Sequence, residues 1–398
     1  MILLTFHTFQ THHTRGAAWQ KLTGYGAALW AIHDDSRLKV KVAGTSWRSI
    51  WRDGDRVAFI DQTRLPFEFH TRVASGCDEI AHAIRTMQVR GAPLIGAAAA
   101  YGLALAMLSD ASDANFERAA ALLGQTRPTA VNLSWAIARM MRCLQGCEPP
   151  ARVALAWQEA QAIADEDVAL NFSIGRHGLA LISDIANRKG RVNVLTHCNA
   201  GWLATVDGGT ALAPVYLAHD AGIALHVWVD ETRPRNQGLL TAWELTQHGV
   251  PNTVIADNAG GHLMQRGQVD IVIVGADRVT ATGDVCNKIG TYLKALAAHD
   301  CGVPFYAAVP TPTIDWACAD GLREIPIEER DSDELLVVRG QADGGSVTPV
   351  RIAAAGTAAA NPAFDVTPAR LVSGIITDRG VAAASRESLA ALYGGKAA

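Results

Sequence analysis

Val192-Asn-Val-Leu-Thr-His-Cys-Asn-Ala-Gly201 opens on a short apolar run and turns polar at its end. Four later stretches repeat the pattern. Ala224–Val229 leads into Asp230 and a polar segment to Gly238, and Thr253–Ala256 into Asp257-Asn258. Asp270–Val274 leads into Gly275-Ala-Asp-Arg278, and Val303–Val309 into Pro310-Thr-Pro-Thr313. Helical stretches separate these runs. Short apolar runs of this kind predict strands buried on both faces, in a mainly parallel sheet with helices packed on it. Ligands of such sheets bind beyond the carboxyl ends of the strands, which is where the polar residues collect here.

Upstream the rhythm differs. From Asp78 to Trp157 apolar and alanine residues recur at three and four spacing, punctuated by Pro128 and Pro149-Pro150, which predicts helices. Trp51 to Phe69 holds short apolar runs split by Asp53-Gly54 and Leu65-Pro66, which read as hairpin strands. The first 40 residues share neither pattern and lack the charged start and apolar run of a signal peptide. Residues 1–42 therefore read as a flexible extension, 43–165 as an N-terminal domain of short strands then helices, and 166–398 as an α/β catalytic domain. His7, His12 and His13 in the extension make a weak metal pattern, so no metal is expected.

Composition narrows the function classes. The 398 residues are 49% hydrophobic and 19% charged, which supplies a large core and excludes a disordered chain. A net charge of −4 with no basic half argues against nucleic acid as partner. The seven cysteines are scattered and odd in number, which fits a reducing compartment rather than a disulfide framework. Cys143 and Cys147, four apart on one helix, read as packing. Gly91–Leu108 runs 18 residues without a charge. Its helix can start only near Pro93, which leaves roughly 24 Å against a membrane core of ~30 Å, so a buried helix is expected.

Two strand ends carry candidate chemistry. Cys198 follows the first run in a Gly-containing turn expected to lead a helix, whose free N–H groups would favour a thiolate. Asp277 follows four apolar residues, and a carboxyl so walled would hold its proton and could carry it to a substrate. Its alternatives are a helix cap or an ion pair with Arg278. Arg90 precedes Gly91-Ala92-Pro93, Arg127 precedes Pro128 and a helix, and Lys288 is expected to open the helix after Gly283. Three cations beside helix starts would form a phosphate pocket if they converge. No GxGxxG fingerprint follows a strand and no Walker loop is present, so dinucleotides and nucleoside triphosphates lose their support.

Ten blocks occur in order from about residue 43 to 380: RGAPLIGAAAAYG (90–102), RPTAVNLSWA (127–136), THCNAG (196–201), TALAPVYLA (210–218), ETRPRNQG (231–238), TAWEL (241–245), IVGADR (273–278), GDVCNKIGTY (283–292), IPIEERD (325–331) and NPAFDVTP (361–368). Together they resemble the methylthioribose-1-phosphate isomerases of methionine salvage. The resemblance implies a small N-terminal α+β domain followed by a Rossmann-like domain, in a cytoplasmic homodimer without metal or organic cofactor. It implies that 5-methylthioribose 1-phosphate is converted to 5-methylthioribulose 1-phosphate. Cys198 and Asp277 fall on the family's catalytic pair. Its substrate contacts fall on Arg90, Gly91, Ala92, Arg127, Gln237, Asn287 and Lys288. Cys286 lies close to these blocks and reads as packing.

The implied chemistry gives each group a task. The anomeric oxygen of the substrate carries phosphate, so the ring opens only if an acid relieves the charge developing on the ring oxygen, a role for Asp277. Hydrogen then moves from C2 to C1, either as a proton with Cys198 as base or as a hydride with Cys198 beside the polarised carbon. Arg90, Arg127 and Lys288 would hold the phosphate. Related readings are an isomerase of 5-deoxyribose 1-phosphate or ribose 1,5-bisphosphate. A further one is a non-catalytic regulatory subunit of the exchange factor for translation initiation, which has the same fold.

Overall fold

The structure, a computed structural model, describes residues 41–127 and 130–394. The expected extension, all but its last two positions, lies outside the described residues, as do His7, His12, His13 and Pro128. Residues 41–42 pair with 45–46 as a short hairpin.

Strands β1 (Ile50–Asp53), β2 (Arg56–Ile60) and β3 (Thr71–Ala74) form an antiparallel sheet. The two-residue β1–β2 turn places Gly54 at φ +63°, where a Cβ is unwelcome. Five helices follow: α1 (Cys77–Arg85), α2 (Ala92–Ser109), α3 (Asp113–Gly124), α4 (Val131–Leu144) and α5 (Pro149–Lys189). Helix α2 has no polar face because α1, α3, α4 and α5 surround it. It is long and apolar enough to cross a membrane by composition, yet 83% of it is buried inside the fold, as expected of a core helix. Its small residues permit that crowding. A Cβ on Gly96 would come within 2.9 Å of the Asn132 carbonyl of α4. Helix α5 runs without a break through residue 165 and ends on Gly190 in the left-handed conformation (φ 76°), which caps it.

The second half alternates as the apolar runs predict. Its elements are β4 (Val192–Thr196), α6 (Ala213–Asp220), β5 (Leu225–Asp230), α7 (Gln237–His248), β6 (Asn252–Ile255), α8 (Ala259–Gln265) and β7 (Ile271–Val274). There follow β8 (Arg278–Thr280), β9 (Val285–Lys288), α9 (Thr291–Asp300), β10 (Phe305–Ala308), β11 (Ile314–Asp315), β12 (Phe364–Thr367), β13 (Gly374–Thr377) and β14 (Gly380–Ala382). Seven strands form one sheet in the order β14-β13-β10-β7-β4-β5-β6, parallel but for β14. All five predicted runs lie in it. A second sheet, β11-β8-β9-β12, follows from no apolar run.

The strand order positions the site. From β4 the chain steps outward to β5 and β6, then returns to place β7 on the other flank of β4 and continues to β10. The loops after β4 and β7 therefore leave the sheet in opposite directions, and a crevice opens between them. Cys198 is on the first loop and Asp277 on the second.

Close helix packing depends on two glycines of α5. A Cβ on Gly178 would sit 2.4 Å from Pro214 Cγ, and one on Gly175 2.9 Å from Leu217 Cδ1, both on α6. Gly178→Ala is expected to overpack this seam and cost about 1–3 kcal/mol, read as a lower midpoint in urea unfolding. Gly190→Ala, with nothing within 4 Å, tests backbone strain alone at the same helix.

Candidate active site

A cavity partly open to solvent lies in the crevice. Cys198 and Asp277 both line it, as do Arg90, Gly91, Ala92, Arg127, Gln237, Asn287 and Lys288. All nine sequence-predicted residues thus meet in one place, brought from the start of α2, the end of α3, two strand-end loops, the start of α7 and the end of β9.

The start of α2 faces the cavity through Arg90, Gly91 and Ala92. Gly91 takes φ +101°, and a Cβ there would meet the Ala204 carbonyl oxygen at 2.3 Å, so only glycine lets the helix start abut the loop after β4. The free N–H groups of an 18-residue helix and the positive end of its dipole then favour an anion. Arg90 is 8% exposed, and its Nη2 donates to Asn199 Oδ1. Arg127 Nη2 donates to Glu328 Oε2 at 3.2 Å. Lys288 places its Nζ 4.4 Å from the centre of the Phe364 ring. Arg90 Nε, Arg127 Nε and Gln237 Oε1 are buried without a hydrogen-bond partner. Polar atoms of that kind mark a ligand site when they line one cavity.

Two expectations and one alternative need correction. Lys288 does not open a helix. It ends β9, and α9 starts at Thr291, because Gly290 at φ 103° caps that start while Asn287 and Lys288 still pair with Asp365 and Phe364 of β12. Cys198 does not stand before a helix either. A single 3-10 turn, Trp202–Ala204, follows, and the next α-helix starts at Ala213. Cys198 instead holds the left-handed conformation at φ 67°, an uncommon state for a side chain bearing a Cβ. Two threonines hold it there: Cys198 N–H donates to Thr232 Oγ1 and Thr241 Oγ1 donates to the Cys198 carbonyl, each at 2.8 Å. Finally, Arg278 pairs with Asp315 at 3.2 Å rather than with Asp277.

The electrostatics favour neutral forms. Burial pushes the Asp277 carboxyl above its ordinary value, while Lys288, Arg127 and Arg90 only partly pull it back. Burial likewise pushes the Cys198 thiol up against the pull of Lys288 and Arg90. Burial pushes the Lys288 ammonium down. Burial thus favours the protonated form of Asp277, in the direction the apolar run before it predicts, and works against the expected thiolate.

Sequence reasoning missed the groups that hold these side chains. Glu328 lies in the IPIEERD block and Asn199 in THCNAG, so both were in view without a task. Behind Cys198, His197 Nδ1 meets Asp230 Oδ2 at 2.9 Å with Lys294 Nζ 3.3 Å from the same oxygen. His197, Asp230 and Asp257 stand close enough to hold a cation, but the Lys294 ammonium fills that role.

The comparisons with known proteins agree with one another. The model of the initiation factor 2 subunit family matches residues 88–384. The chain is similar to the methylthioribose-1-phosphate isomerase of Methylorubrum extorquens, at 63% identity over 358 residues, 89% of this chain and 98% of that one. It is similar to the crystal structure of 5-methylthioribose 1-phosphate isomerase from Pyrococcus horikoshii OT3, at 41% identity with a TM-score of 0.79, over 92% of this chain and 99% of that one. It is also similar to the translation initiation factor eIF-2B, subunit delta, from A. fulgidus, at 40% identity with a TM-score of 0.72, over 87% and 99%.

A raised carboxyl destabilises the fold as it ionises. The stability tied to Asp277 is present at low pH and lost as pH rises through its raised value. Asp277→Asn removes that loss, so its melting temperature is expected to exceed that of the unaltered chain by more at pH 8 than at pH 3, below the ordinary carboxyl value, measured by calorimetry.

Proposed function

The chain belongs to the initiation factor 2 subunit family and, within it, to the methylthioribose-1-phosphate isomerases, and on that premise we propose that it converts 5-methylthioribose 1-phosphate to 5-methylthioribulose 1-phosphate. It is an aldose–ketose isomerase of methionine salvage. The observation that carries the reading is the cavity itself, lined together by a carboxyl that burial pushes toward its protonated form, a thiol and the cations of Arg90, Arg127 and Lys288.

Asp277 gives its proton to the ring oxygen as the bond from that oxygen to C1 breaks. Hydrogen passes from C2 to C1 beside Cys198, and the C2 hydroxyl gives its proton to the Asp277 carboxylate as the ketone forms, so the proton count closes. Arg90, Arg127 and Lys288, with the N–H groups of Gly91 and Ala92, bind the phosphate and keep it from leaving. Gln237 and Asn287 bind the sugar. No step calls on a metal or an organic cofactor.

The cations that line the cavity make a set for one phosphate, which supports a monophosphate over ribose 1,5-bisphosphate. The presence of both Cys198 and Asp277 supports catalysis over a purely regulatory subunit. Relatives at 60% identity and above, over 89% of the chain, are named as isomerases. The reading also takes the chain as a cytoplasmic homodimer. Exposed Leu293 and Leu322 give it apolar surface to cover, and all seven cysteines are free thiols. The division at residue 165 is part of the same reading, with α5 as a rigid connection across it.

Turnover of methylthioribose 1-phosphate, 5-deoxyribose 1-phosphate and ribose 1,5-bisphosphate tests the reading, and the first is expected to give the highest kcat/KM. Turnover of none by a folded chain would sink the enzyme reading. Cys198→Ala and Asp277→Asn are each expected to lower kcat by at least about 10²- to 10⁴-fold with the fold intact by circular dichroism. Arg127→Ala is expected to raise KM more than it lowers kcat.

A further inference from the structure

We infer that Glu244 is a positioning residue: through the amide of Asn199 it fixes the direction of the Arg90 guanidinium and the Cys198 peptide at the cavity. Its kinetic consequence rests on the isomerase reading above; its geometry does not.

Glu244 is fully buried on α7 and does not line the cavity. Its Oε1 accepts from Asn199 Nδ2 at 2.8 Å and from the Leu203 N–H at 3.2 Å, and its Oε2 accepts from Tyr216 Oη at 2.9 Å. Three donors thus converge on one carboxyl. Gly201 is part of this arrangement, since a Cβ there would lie 1.7 Å from Glu244 Oε2.

The Asn199 amide has two different ends, and the network decides which way they point. Glu244 Oε1 already accepts from the Leu203 N–H, which can only donate, so the Asn199 NH₂ must face that oxygen and the Asn199 carbonyl must face away. Arg90 is only a donor, so that carbonyl is where its Nη2 bonds. The same NH₂ meets Thr241 Oγ1 at 3.1 Å, and Thr241 donates in turn to the Cys198 carbonyl. One carboxyl therefore sets an anion-binding cation and the backbone of the catalytic thiol together. Burial pushes Glu244 up to about 7 even against these three bonds, so the arrangement is held at a cost in stability. Such a cost is retained where a site needs it.

A thermodynamic cycle tests this. Glu244→Ala and Asn199→Ala are each expected to lower kcat/KM on methylthioribose 1-phosphate by about 10- to 100-fold. The double variant is expected to lose no more than the worse single one, because both remove the same tether. Losses that multiply in the double variant, as independent sites do, overturn the inference. A merely structural role moves only the melting temperature and leaves kcat/KM of the folded fraction unchanged, which also overturns it.

Where Glu244→Ala fails to fold, Glu244→Gln and Glu244→Leu take its place. The glutamine keeps an acceptor oxygen for the Asn199 NH₂ and the Leu203 N–H and can set its own NH₂ against the Tyr216 hydroxyl, whereas leucine keeps no acceptor. Glu244→Gln is expected to retain most of kcat/KM and Glu244→Leu to lose about 10- to 100-fold, and equal losses in the two overturn the proposal. Affinity for inorganic phosphate, by calorimetry on the same variants, is the readout that needs no turnover. It is expected to weaken in every variant that frees Arg90 and to be kept in Glu244→Gln. Phosphate affinity equal in all variants, or undetectable in the unaltered chain, overturns the tether even if no isomerase activity is found. Absence of turnover with the expected phosphate pattern overturns the isomerase reading alone.

Discussion

The bond from Arg90 to Asn199 joins the helical half of the chain to the sheet half at the place where the cavity forms. A guanidinium taken out of water is tolerated only with partners in good geometry. Arg90 therefore constrains its whole surroundings. The start of α2 must approach the loop after β4, and it does so on Gly91 against Ala204. Asn199 must present its carbonyl, which Thr241 and Glu244 secure from α7. Helix α7 is in turn placed by the parallel sheet through its contacts with β5 and β6. A local requirement of one cation thus extends through five elements.

The same burial governs the acids. Asp277, Cys198 and Glu244 are all pushed toward their protonated forms, while Lys288 is pushed toward its neutral form. Each shift is free energy withheld from folding. On the proposed reading an incoming phosphate would change that balance, since it would bring negative charge to Arg90, Arg127 and Lys288. Binding and catalysis then draw on one property of the cavity, its low polarity, which strengthens every charge–charge interaction within it.

The parallel strands were legible because strands buried on both faces leave a continuous apolar signature, as Ile271–Val274 does. The small sheet was not legible, because Val285–Lys288 mixes a cysteine, an amide and an ammonium on a buried strand. Its polar residues face the cavity and its neighbours instead of water, so the alternation that reveals a half-exposed strand is missing. The exposed polar strand Thr71–Ala74 escaped for the opposite reason, with three of its four residues exposed. At the site, residue types at strand ends and helix starts pointed to Cys198, Asp277, Arg90, Arg127 and Lys288, and the family resemblance added Gly91, Ala92, Gln237 and Asn287. They disclosed nothing of what holds those groups, because Glu244 and Tyr216 are 28 positions apart and Arg127 and Glu328 are 201. Such pairs carry no periodicity, and only the fold brings them together.

The left-handed backbone at Cys198 shows why that supporting layer is extensive. A non-glycine residue there costs about 1–2 kcal/mol relative to the ordinary conformation. Thr232 and Thr241 offset the cost by bonding both its N–H and its carbonyl. Thr232 is itself held by Asp257, whose Oδ1 accepts from its N–H at 2.8 Å, and Thr241 shares Asn199 with Glu244. These links bond the Cys198 N–H and carbonyl at once and so hold the turn in this arrangement. A thiol carried on such a turn lines the cavity without having to be ordered first. The strain is therefore part of how the strand end presents Cys198 to the crevice, and the buried polar network is what makes the strained form the resting one.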